Sequence, residues 1–205
     1  EQMEEAEVKE WVEAQNTLSR PLLESLPTRE QYKQRITELW DYEKYTEPYH
    51  VAGKYFYSHN NGLQNQYVLW MQNGLDAQAE VLIDPNTFSE DGTVSMAGTD
   101  VSPKASYIAY WKSDGGSDWK TIHIKSVEDK SDLTDVIEGI KFTNISWLPD
   151  ESGFYYSRYP QNQQGEWDDS KPVAIYFHAL GTAQTEDKLV FNFLDKPTWN
   201  PYPSV

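Results

Sequence analysis

The 205-residue sequence contains no cysteine. That absence excludes disulfide staples, zinc–thiolate and iron–sulfur sites, and a cysteine nucleophile. It leaves the redox compartment open. Basic residues are also scarce, with 17 Lys+Arg against 33 Asp+Glu and a net charge of −16. Such a balance opposes phosphate contacts, so no nucleic-acid partner is expected, although aromatic rings that could stack on bases abound. No apolar run approaches the roughly 18 residues of a membrane span. The opening EQMEEAEVKE is acidic where an export signal starts basic. No membrane association is expected; the expected compartment is the cytoplasm, with the periplasm as the alternative, since an export signal would lie upstream of Glu1.

What is present is aromatic: 14 Tyr, 8 Trp and 7 Phe. With a mean hydropathy of −0.75 the chain is polar overall, but that many rings is not the composition of a disordered acidic tail. The length also allows a core without a staple.

From Glu4 to about Tyr42 the sequence reads as helix. Val8, Trp11, Val12, Leu18, Leu22, Leu23 and Leu26 fall largely three and four apart, the period of one helix face, with Pro21 expected to bend or interrupt it. Thr28 is the expected N-cap of a second helix carrying Tyr32, Ile36, Leu39 and Trp40.

From Tyr49 onward, short aromatic and β-branched runs alternate with turn clusters such as NNG, DPN, EDG, SDGG and PDESG. This is strand-and-turn chemistry. The runs recur in register: YVLWMQ at 67–72, KTIHIK at 120–125 and VAIYFH at 173–178, with Val68, Thr121 and Ala174 each separated by 53 residues. EVLID at 80–84, DVIEG at 135–139 and DKLVFNF at 187–193 keep step, as do KYFYS from Lys54, SYIAYW from Ser106 and GFYYSR from Gly153. A repeat of about this length holding about four antiparallel strands marks a β-propeller blade, whereas an ordinary β-sandwich predicts no such register. The fold class expected is mainly β: a partial propeller of about three blades preceded by helices. Because a ring needs at least four blades, and Trp199 onward resembles the opening of another, the chain reads as a fragment.

Motifs for chemistry are few. The strand-to-helix nucleophile turn G-x-S-x-G does not occur. Its nearest match, Gly115-Gly116-Ser117-Asp118-Trp119, carries Trp where the second glycine belongs and sits between strands, so it reads as a turn. His50, His59, His123 and His178 show no metal-binding spacing and read as surface or strand-packing residues. Asp84 to Gly92 superficially suggests a calcium loop, but Phe88 stands where an oxygen ligand is required, and a turn is expected. Asn144-Ile145-Ser146 fits the glycosylation pattern and receives no function. No metal or cofactor is expected.

The segments KEWVEAQN, YKQRITELWDYEKY, GKYFYSHNNGLQNQYVLW, DPNTFSEDGTV, GSDWKTI, KFTNISW and HALGTAQTEDKLVF resemble, in order and over nearly the whole chain, the N-terminal part of the prolyl oligopeptidase family. These are serine peptidases in which a seven-bladed propeller caps an α/β-hydrolase domain. The resemblance implies a helical segment at 1–41 that packs onto the hydrolase domain, and the first propeller blades at 42–205. It implies catalytic Ser, Asp and His outside these 205 residues, so that no catalytic residue is expected in this chain. Its implied partners are short proline-containing peptides and the C-terminal hydrolase domain of the same protein, with cleavage after proline. Among the propeller residues facing the hydrolase domain, Phe142 in the KF-x-x-x-x-W segment is the implied substrate contact, offering a flat apolar ring to a residue upstream of proline. Asp118 in GSDW is the second, adding negative potential that favours peptides with a free amino group. The blander readings are a blade-core ring for Phe142 and a turn residue accepting backbone hydrogen bonds for Asp118. Alternatives for the whole are an oligopeptidase B-like enzyme cleaving after basic residues, or a propeller interaction module without chemistry.

Overall fold

The computed structural model describes residues 6–193, 196 and 199–205. The chain divides into a helical unit, residues 1–43 with 61–63, and a β unit, residues 44–60 with 64–205.

In the helical unit, α1 spans Ala6–Glu24 and α2 spans Arg29–Trp40; the expected start at Glu4 lies outside the described residues. Pro21 does not interrupt α1 but sits within it. It forfeits its own donor, yet its carbonyl still accepts from Ser25 N at 3.0 Å. Thr28 holds the N-cap position of α2, but its backbone is helical (φ −89°, ψ −7°) and its side chain makes no capping bond. A capping hydroxyl needs the extended backbone that aims it at the first-turn N–H groups. Neither helix buries a residue. Trp11, Leu18, Leu22, Leu23, Ile36 and Leu39 stand exposed.

The β unit holds three antiparallel sheets. Blade 1 comprises β1 (Lys44–Tyr45), β2 (Tyr49–Val51), β3 (Lys54–Asn60), β4 (Val68–Gln72) and β5 (Glu80–Ile83). Both β1 and β2 pair with β3, Lys44 opposite Asn60 and Tyr49 opposite Phe56, so they are one first strand interrupted near Pro48, which has no N–H for a ladder. Blade 2 comprises β6 (Ser95–Val101), β7 (Tyr107–Ser113), β8 (Lys120–Ser126) and β9 (Asp132–Ile140); blade 3 comprises β10 (Ile145–Trp147), β11 (Gly153–Arg158), β12 (Ala174–Ala179) and β13 (Lys188–Asn192). Each sheet runs in sequence order. The three repeated series are the second, third and fourth strands of the blades. The first strands escaped the repeat, since β1, β2 and β10 span only two or three residues and β6 is SMAGTDV, without an apolar alternation. Residues 199–205 form no strand, unlike the blade opening expected there. A first strand is held by the second strand of its own blade, whereas this segment lies along blade 3, Val205 N donating to Ser146 Oγ at 2.9 Å.

Successive blades pack face to face. Phe56, Leu69, Met71 and Ile83 of blade 1 meet Ile108, Tyr110 and Val127; Trp111, Ile122, Ile124 and Ile137 of blade 2 meet Phe154 and Tyr156. On β7, Ile108 and Tyr110 therefore face blade 1, while Ala109 and Trp111 face blade 3. This is the two-residue period of a strand buried on both faces, and each large side chain so buried is worth about 1.5–3 kcal/mol.

Candidate functional site

Antiparallel order puts alternate connections on opposite edges of the blades. One edge of blades 2 and 3 carries the β6–β7 and β10–β11 turns. These close tightly after a proline, with Ala105 N donating to Ser102 O at 2.8 Å and Glu151 N to Leu148 O at 2.9 Å. The other edge carries the connections 114–119, 141–144 and 159–173, and with them both Asp118 and Phe142.

Phe142 does not belong to either core. Its ring is 57% exposed, and its backbone is left-handed at φ +47°, a conformation that strains a bulky residue. The next residue is pinned, Ser157 N donating to Thr143 Oγ1 at 3.0 Å. Lys120 Nζ stands 5.6 Å from the Phe142 ring centroid.

Asp118 sits half-buried in the β7–β8 hairpin. Gly115 and Gly116 supply positive φ there, Ser117 N donates to Asp114 O at 2.9 Å, and Ser117 Oγ accepts from Trp119 N at 3.1 Å. GGSDW is thus a turn, as its sequence implies. Ser117, not Asp118, accepts the turn's hydrogen bond, and among the described residues the Asp118 carboxylate accepts none.

A hollow of about 340 Å³ opens along this edge, lined in part by Trp119, Lys120, Thr121, Glu138, Gly139 and Trp167. Gly139 has φ +72°, and the Trp167 indole occupies the space a Cβ there would need. Glycine is required on both counts. Trp119 meets Tyr159 edge-to-face, centroids 5.5 Å apart. Lys141 Nζ lies 4.4 Å from the Trp119 centroid and 2.6 Å from Asp169 Oδ2; that hydrogen bond holds the Asp169 carboxyl below the usual range. The edge offers aromatic faces and separate charges.

The acid–histidine constellation lies elsewhere. His178, fully buried, sits between Asp187 (Nδ1 to Oδ1, 2.7 Å) and Asp135 (Nε2 to Oδ1, 3.0 Å). Gly181 N donates to Asp135 Oδ1 at 2.6 Å and Tyr156 OH to Asp187 Oδ2 at 2.5 Å. Burial alone would lower the His178 pKa, but the two carboxylates reverse this and raise it to about 9. Burial would raise the Asp135 pKa; His178 and the Gly181 N–H outweigh it, and the carboxyl is held low. The cluster joins blade 2 to blade 3 and holds no nucleophile, so it is a buried clasp. A surface or strand-packing histidine was expected at 178, but not its ionic partners. Their signal was the aspartate opening both DVIEG and DKLVF. The Asp84 loop is a turn, its carboxylate accepting from Asn86 N at 3.0 Å.

Stacked four-stranded blades, with their loops gathered on one edge, define a propeller-type domain. The family model described as the prolyl oligopeptidase N-terminal β-propeller domain matches residues 1–201, and the chain belongs to that family. It is 40% identical over 190 residues to the prolyl endopeptidase of Elizabethkingia meningoseptica, covering 90% of this chain and 26% of that protein. Among solved structures, it is similar to prolyl oligopeptidase B of Galerina marginata bound to a 35-residue hydrolysis and macrocyclization substrate, at TM-score 0.85 and 28% identity over 98% of this chain and 31% of that one. It is also similar to a prolyl endopeptidase studied for inter-domain dynamics, at TM-score 0.84 and 32% identity over 91% and 28%. The chain thus spans about a quarter of the length of the curated relatives it matches. Among the described residues no helix is long and apolar enough to cross a membrane.

Proposed function

We propose that the chain is the N-terminal part of a serine-type prolyl endopeptidase that hydrolyses short peptides on the carboxyl side of proline. In this reading residues 42–205 are the first blades of a propeller that gates and lines the substrate cavity, and residues 1–41 pack onto an α/β-hydrolase domain carrying the catalytic Ser, Asp and His. The exposed stripe of Trp11, Leu18, Leu22 and Ile36 is the surface that such packing covers. Asp118 and Phe142 face the cavity, and the enzyme works in the cytoplasm.

Phe142 carries the reading. A large ring held outward at φ +47° and 57% exposed costs roughly 1–2 kcal/mol of backbone strain and returns little burial to the fold. Contact with a ligand offsets such a cost: a flat apolar face receives a substrate residue upstream of proline and excludes water from it. Family membership and the relatives named as prolyl endopeptidases support the same reading.

The test is the full-length protein assayed on matched reporter peptides blocked at proline or at arginine. Faster cleavage after proline is expected; faster cleavage after arginine overturns the assignment in favour of an oligopeptidase B-like enzyme, and no cleavage of either leaves a non-catalytic module.

A further inference from the structure

The Phe142 ring shares its space with a cation. Lys120 Nζ stands 5.6 Å from the ring centroid, held there because β8 starts at Lys120 and pairs it with Ile140, two residues before Phe142. The other lysines nearby face different partners. Lys141 is bound to Asp169 at 2.6 Å and lies over Trp119, and Lys112 Nζ lies 4.5 Å from the Phe88 centroid and 5.6 Å from that of Tyr110. Lys120 lines the 340 Å³ hollow and, among the described residues, has no carboxylate within ion-pair distance. Lys120 thus places an ammonium without a carboxylate partner among the described residues beside an exposed ring. Asp118, Asp114 and Glu138 are the nearby acids of the same edge, and none is ion-paired to it.

A side chain resting on Phe142 comes within reach of this ammonium. A carboxylate there gains an ion pair partly shielded from water by the ring, an amide gains a weaker hydrogen bond, and a lysine or arginine meets a like charge. We propose that Lys120 determines specificity at the Phe142 site, favouring substrates with an acidic residue two positions before proline and disfavouring basic ones. The inference rests on the proposal that Phe142 contacts substrate.

The test uses the full-length enzyme and three peptides identical except for Glu, Gln or Lys two positions before proline. For an ion pair of this exposure, kcat/KM is expected to favour Glu over Lys by roughly five-fold, with Gln between. Lys120→Met should level the series, Lys120→Glu should invert it, and Lys120→Arg should preserve it. The wild-type preference should shrink with added salt. Unchanged melting in Lys120→Met separates a lost charge from a lost fold. A Glu-to-Lys ratio indifferent to Lys120→Met overturns the inference. Phe142→Ala on the Gln peptide distinguishes the underlying reading. If it weakens cleavage while the ratio ignores Lys120, only the inference about Lys120 fails; if it has no effect, the ring is not the contact and the site reading fails with it.

Discussion

Two charged, aromatic clusters lie in blades 2 and 3, and they are built on opposite principles. In the Asp135–His178–Asp187 clasp, both ring nitrogens of a fully buried imidazole are engaged by carboxylates, which in turn accept from Gly181 N and Tyr156 OH. On the loop edge, Asp118 accepts no hydrogen bond among the described residues, Lys120 has no carboxylate partner, and Phe142 is exposed on strained backbone. By residue type the clasp is the better match to a catalytic site, yet it is buried and its hydrogen bonds go to the fold, Asp135 Oδ2 being left without a partner among the described residues. The loop edge is ordinary in composition: Lys141 is paired with Asp169 and Trp119 packs on Tyr159, while Asp118 and Lys120 have no ion-pair partner among the described residues. Burial, more than the residues themselves, separates a structural polar cluster from an exposed one.

Removing the imidazole challenges this contrast most severely. His178→Asn leaves two carboxylates facing each other in the blade joint, and losing one member of such a buried pair costs about 3–5 kcal/mol, read as a large fall in melting temperature. The pH dependence follows from the shifts. His178 has its pKa raised from the ordinary 6.5 to about 9, so its contribution is complete below about pH 6.5 and fades as pH rises through about 9. Asp135 has a lowered pKa, so its contribution is present above its unfolded value and fades as pH falls through the lowered one. Melting curves across pH should show a plateau between these limits, and His178→Asn should lose the alkaline decline. A wild-type curve flat through pH 9 contradicts a charged clasp.

On the loop edge the smallest expected effect belongs to Asp118. Its replacement by Asn should leave melting unchanged and lower kcat/KM by roughly two-fold for peptides with a free amino terminus, but not for blocked ones, since a single exposed charge acts weakly through water. A marked loss of stability would move Asp118 from the binding edge to the turn's own framework.

The division between the clusters was only partly legible in the sequence. The blades were, because strands buried on both faces need apolar runs and the turns between them need Gly, Pro, Asn and Asp, and both recur at a fixed interval. The tight SPKA and LPDE turns follow the same pattern: each closes a first strand onto a second. The short first strands were not legible, since β10 has three residues and β6 is SMAGTDV. Thr28 has the residue type of a cap, but capping depends on a backbone angle that composition does not encode. The clasp was hidden for a different reason, because 43 residues separate Asp135 from His178 and only the stacking of blade 3 on blade 2 brings them together. Phe142 and Asp118 were singled out by family resemblance; the strain of one and the unpartnered carboxylate of the other needed the structure.

If Phe142 is placed for substrate rather than for the fold, Phe142→Gly in the full-length enzyme separates the two roles. Glycine adopts φ +47° without strain, so melting temperature should hold or rise. Losing the ring contact, worth about 1–3 kcal/mol when a ligand buries it, should lower kcat/KM roughly ten-fold for peptides long enough to reach the ring and leave shorter ones untouched. A fall in stability together with equal losses on long and short substrates would make Phe142 part of the framework instead.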